Sequence, residues 1–201
     1  MKKILPFFSY IFHPLLIPLF ACFYYFTYDD SFLASGQKFL VLAQFAIITF
    51  LIPVAIYFLL RSIGKIDSVM VEKVSQRKLP LALQAALVYI LAHNTVTLEA
   101  LPELYFFLLS VILSIIISFA FLFLEIKVSL HQMGTAGLLF FLVGLSIHNQ
   151  VNIINTIAFW LVANGFTATS RLYMKAHTPR EIAAGFLAGM LPQVVLWYFW
   201  L

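Results

Sequence analysis

Ser170-Arg171-Leu172-Tyr173-Met174-Lys175-Ala176-His177-Thr178-Pro179-Arg180-Glu181 is the densest polar run in a chain that is 63% hydrophobic, and apolar segments flank it on both sides. Thr178, Pro179 and Glu181 have the order of a capping box, with Thr at the N-cap, Pro at the first helical position and Glu at the third. That order predicts a helix beginning at Thr178, with His177 immediately ahead of it. A helix start carries unpaired backbone N–H groups and a partial positive charge, which together favour an anion. Arg171 adds a second anion-binding group, and Glu181 brings a carboxylate toward the imidazole. The plainer reading is that Glu181 only caps the helix and Arg171 only anchors it at a membrane surface.

The flanking segments set the class of the protein. The chain has 201 residues, of which 10% are charged and 17% aromatic, and its mean hydropathy is +1.02. Apolar surface on that scale belongs to an all-α, polytopic membrane bundle, here one integral membrane domain over 1–201. Cys22 is the single cysteine and lies in an apolar run, so no internal disulfide forms and the thiol reads as a small buried hydrophobe.

Seven apolar segments follow one another: Ile4–Tyr28, Phe39–Leu60, Pro80–Val96, Leu104–Leu124, Ala136–Ile147, Ile153–Ala168 and Ile182–Leu201. The first is too long for a signal-peptide core and carries His13, Pro14 and Pro18, so it reads as a span with a proline kink. The pattern gives about six or seven transmembrane helices. An interfacial amphipathic helix is expected within Arg61–Lys78, because Ile66, Val69, Met70 and Val74 recur at helical spacing among basic residues. Trp197-Tyr198-Phe199-Trp200 reads as an aromatic belt at a bilayer surface.

The polar stretches 61–80, 125–135 and 170–181 are separated by apolar hairpins, so all three are expected on one face. Lys2, Lys3, Arg61, Lys65, Lys73, Arg77, Lys78, Lys127, Arg171, Lys175 and Arg180, 11 of the 12 basic residues, fall on that face, and Lys38 alone falls opposite. Under the positive-inside rule the face is cytoplasmic, in a bacterial cytoplasmic membrane. His13, His93 and His148 read as structural, with His148, Asn149 and Asn152 forming a solvated turn. Gly185 and Gly189 read as a close helix contact. Nothing indicates a nucleotide loop, a metal cluster or a nucleic-acid surface.

Ser170, Arg171, His177 and Glu181 make the pattern S-R-x5-H-x3-E. This resembles the third signature of the type 2 phosphatidic acid phosphatase superfamily, with Glu181 where the family has Asp. Ser129 and His131 match the second signature, P-S-G-H, while Val128 and Leu130 depart from it. Arg77 with Pro80 is the only candidate for the first signature, and the family's lysine has no counterpart there; Lys73 and Lys127 are the substitutes considered, with Lys127 preferred because it lies four residues from His131. The resemblance spans about residues 61–189. It implies a metal- and cofactor-independent phosphatase acting on a membrane lipid phosphate or pyrophosphate, with a site on the outer or periplasmic face. It also implies His177 as nucleophile, Glu181 as its orienting carboxylate and His131 as general acid and base. Arg171, Arg77, Lys127, Ser129 and Ser170 would then bind the phosphoryl oxygens. Two alternatives stay open: a non-catalytic protein that binds or moves an anionic lipid on the same scaffold, and a small transporter unrelated to phosphate. Substrate identity and oligomeric state are not legible.

Overall fold

The computed structural model describes residues 5–28, 32–67 and 74–201, the side chains of 74 and 75 excepted. Among the described residues the chain is all-helical, in seven successive helical stretches: α1 Leu5–Tyr28, α2 Ser35–Ser62, α3 Val74–Asn94, α4 Pro102–Phe123, α5 Leu130–His148, α6 Ile154–Tyr173 and α7 Pro179–Trp200. Five of them, α1, α2, α4, α5 and α7, are long and apolar enough to cross a membrane.

Two helices are interrupted where the sequence demands it. In α1 the residue before Pro14 is pushed out of the helical region, and His13 is extended at φ −66°, ψ 136°. A short 3₁₀ turn, Pro14–Leu16, then leads into the second half, Ile17–Tyr28. In α2 the segment Ala46–Leu51 is wound as a π-helix just ahead of Pro53. Thr49 is buried within it, and its hydroxyl donates to the Phe45 carbonyl at 2.8 Å.

The expected basic amphipathic helix is not found in the described part of its stretch. Arg61 and Ser62 end α2, Ile63–Lys65 turn, and Val74–Lys78 open α3, so Pro80 lies inside a helix that starts before it. Val69, Met70 and Lys73 lie outside the described residues, as do Lys2 and Lys3.

Contacts at both ends of the bundle fix its alternation. At one end, the Ser9 hydroxyl on α1 meets that of Ser170 on α6 at 2.6 Å. At the other, Tyr25 of α1 donates to the Glu103 carboxylate at the start of α4 at 2.9 Å, and His148 at the end of α5 lies 3.1 Å from the same carboxylate. Tyr28 and Thr156 share a hydrogen bond at 2.6 Å on that side too. His148 is therefore an ion-pair or hydrogen-bond partner of a buried carboxylate rather than part of a purely solvated turn. Helices α1, α3, α5 and α7 all begin at the end that holds Ser170, and α2, α4 and α6 all finish there.

Helix α5 is the hub. Leu138, Phe141, Leu142 and Leu145 are buried in one cluster with Phe12, Tyr25, Leu91, Phe107 and Trp160. Its close approach to α7 depends on glycine: a Cβ at Gly185 would sit 2.5 Å from the Ser129 carbonyl oxygen, and one at Gly189 would overlap the Met133 carbonyl. The expected Gly-x-x-x-Gly contact is present, and it draws the N-termini of α5 and α7 together.

Candidate anion site at the converging helix starts

The loop that carries the polar run is built by its own backbone. At the end of α6, the Ala176 N–H donates to the Arg171 carbonyl at 3.1 Å and the Lys175 N–H to that of Leu172 at 2.9 Å. Lys175 takes the left-handed conformation, φ 52°, and the chain reverses in the manner of a Schellman turn. Three residues later Thr178 caps α7: its hydroxyl accepts from the Glu181 N–H at 3.3 Å, and the Glu181 carboxylate accepts from the Thr178 N–H at 2.7 Å. His177 is thereby held between a helix end and a helix start.

The three polar stretches do converge. His177 Nδ1 lies 3.1 Å from the Lys127 carbonyl oxygen and 3.5 Å from Glu181 Oε2. Because a carbonyl only accepts, the proton is on Nδ1, and Nε2 keeps a free lone pair. By the same logic His131 Nε2 donates to the Ser9 carbonyl at 3.1 Å, leaving its Nδ1 as the free nitrogen. Arg77 donates to the Val128 carbonyl at 3.4 Å, and Lys127 to that of Ala176 at 3.2 Å. The Ser129 N–H is held by the Glu181 carbonyl at 3.2 Å.

The serines have positions of their own. Ser129 is fully buried and is the N-cap of α5, its hydroxyl accepting from the Gln132 N–H at 3.5 Å. Ser170 is fully buried against Ser9. Neither lines the cavity beside Arg171 and His177, so the structure does not bring these two expected phosphate ligands to it.

Arg171 is buried, and its Nε finds no hydrogen-bond partner among the described residues. An orphaned guanidinium donor is costly unless something fills it. A cavity of about 850 Å³ supplies the space: Arg61, Arg77, His131, Arg171 and His177 line its polar end, and no carboxylate lines it among the described residues. Burial first, and then the cations of Arg171, Arg77 and Lys127, push the His177 pKa down to about 4 against the opposing pull of Glu181, so the ring is neutral at pH 7. From there the cavity continues along α3 and α4 past Pro80, Leu81, Leu87, Phe107 and Ile115, an apolar wall.

The sequence reading missed the contribution of α1. Ser9, Tyr10 and His13 all line the cavity. A histidine followed by proline inside an apolar run was the one available signal. No family model, no curated protein and no solved structure matches this chain.

Proposed function

We propose that the protein is an integral membrane phosphatase that hydrolyses a lipid phosphate or pyrophosphate through a phosphohistidine. The observation that carries this reading is His177: its Nδ1–H is committed to a backbone carbonyl, and its Nε2 lone pair is left beside a cavity lined by arginines. In the mechanism, Nε2 attacks phosphorus, the phosphorus–oxygen bond to the lipid breaks, and Nδ1–H is steadied by the Lys127 carbonyl and by Glu181. His131 enters the cycle as the imidazolium, with Nε2–H on the Ser9 carbonyl: its Nδ1–H protonates the leaving alkoxide, and the bare Nδ1 then takes a proton from the attacking water, which restores the imidazolium. Arg171, with its unfilled Nε, and Arg77 bind the phosphoryl oxygens and offset the charge that builds on them. The starts of α5 and α7 add their positive ends. An apolar wall leading away from a cationic pole suits an amphipathic substrate.

In this reading all seven helices span the membrane, and the site opens at the cytoplasmic face, where Arg61, Lys65, Arg77, Lys78, Lys127, Arg171, Lys175 and Arg180 lie. The test is phosphate release by the purified protein from a panel of phosphatidate, phosphatidylglycerophosphate, polyprenyl pyrophosphate and lipid A. Turnover should survive chelators and be blocked by vanadate, which adopts the five-coordinate geometry of the transition state. Activity abolished by chelation and restored by magnesium or zinc would exclude this mechanism.

One observation favours a non-catalytic lipid binder instead. The Glu181 carboxylate is closer to the Thr178 N–H, at 2.7 Å, than to His177, at 3.5 Å. A binder would take up the same lipids and release no phosphate.

A further inference from the structure

The break in α1 does more than bend a helix. Held extended by Pro14, His13 folds its ring back so that Nδ1 accepts the Leu15 N–H at 3.3 Å. An N–H only donates, so Nδ1 carries no proton and the neutral ring carries it on Nε2. That Nε2–H has no acceptor among the described residues. The ring lines the cavity and meets the His131 ring edge-to-face, with centroids 5.2 Å apart. Among the described residues, the charged side chains that share the lining are Arg61, Arg77 and Arg171, and none is a carboxylate. What fills the cavity can supply the acceptor that this donor lacks, and three arginines in the lining favour an anion's oxygen there.

We infer that His13 is a third imidazole of the site, donating through Nε2–H to a phosphoryl oxygen held by Arg171. The inference rests on the phosphate-site reading above and brings the N-terminal helix into the binding machinery. A neutral imidazole donor adds directionality there without adding another positive charge beside His177.

Two substitutions divide this role from simple capping. In His13→Asn the side-chain oxygen replaces Nδ1 as acceptor for Leu15, and the distal donor is lost. In His13→Gln the amide N–H₂ reaches the position of Nε2, and the cap is lost. Calorimetric titration of the full-length protein in detergent, with inorganic phosphate and with dioctanoyl phosphatidate, reads the difference. His13→Asn should weaken both ligands by about tenfold or more while keeping the thermal midpoint, and His13→Gln should stay within about threefold of wild type. Unchanged binding by His13→Asn overturns the inference and leaves His13 a cap. A loss with phosphatidate alone also overturns it, moving the contact to the lipid's ester oxygens. Arg171→Met separates the two levels. If it binds phosphate as wild type does, the phosphate site itself falls and His13 with it. If it loses binding while His13→Asn does not, only the role of His13 falls.

Discussion

The imidazole of His177 is held by the carbonyl oxygen of Lys127, 3.1 Å from Nδ1, across the gap between the second polar stretch and the third. This one hydrogen bond selects the tautomer and aims the free nitrogen into the cavity. Burial and the cations of Arg171, Arg77 and Lys127 set the basicity of the same ring.

The first prediction is therefore a titration. His177 should titrate near pH 4, well below the ordinary 6.5, in histidine-selective NMR assigned through His177→Gln. The folded pKa lies below the unfolded one, so the unfolded chain binds the extra proton first as pH falls. Stability contributed by this residue is whole above 6.5 and drains away between 6.5 and 4. Arg77→Met removes one of the depressing charges and should raise the midpoint. A midpoint at 6.5 in the wild type would show that the ring is neither buried nor faced by cations.

Glu181 is a cap and an orienter at once, and the two roles can be divided. Gln keeps an oxygen for the Thr178 N–H, so Glu181→Gln should leave the thermal midpoint nearly unchanged. It removes the negative charge 3.5 Å from His177, and turnover should fall by about tenfold or more. Glu181→Asp should recover part of that loss. Full activity in Glu181→Gln, beside an inactive His177→Ala, leaves the carboxylate a cap alone.

Packing between α5 and α7 holds the site's two helix starts together. Gly189→Ala drives a methyl group into the Met133 carbonyl and should destabilise by roughly 1–3 kcal/mol in thermal unfolding. Gly165→Ala on α6 meets nothing within 4 Å and should be neutral or stabilising by up to about 1 kcal/mol. Equal effects from the two would mean that α5 and α7 are not in close contact.

Much of this arrangement could be read from residue types. Thr178, Pro179 and Glu181 announced their capping box, Gly185 and Gly189 their close contact, and the spacing of polar stretches their convergence. What escaped was carried by the main chain. The acceptors for His177, His131 and Arg77 are the carbonyls of Lys127, Ser9 and Val128, and a carbonyl has no identity in a sequence. The place of Ser9 was hidden for that reason. Helix α3 beginning at Val74 was hidden for another, because a proline at position 80 reads as a helix start and here lies inside the helix.

Charge asymmetry predicts the orientation of the bundle. In a Cys22→Ala background, cysteines placed at Lys65 and Lys175 should resist an impermeant thiol reagent in intact cells, and one at Asn152 should react. The reverse labelling would put the site on the outer face.

The central claim is a covalent phosphohistidine at His177, and trapping it is the most direct measurement. The protein is mixed with a ³²P-labelled lipid phosphate that it turns over, quenched in alkaline denaturant and digested, and the label is located by mass spectrometry. The account predicts an acid-labile, alkali-stable phosphoryl group on His177, absent from His177→Gln. Turnover without any label on His177, or label that persists in His177→Gln, would contradict it.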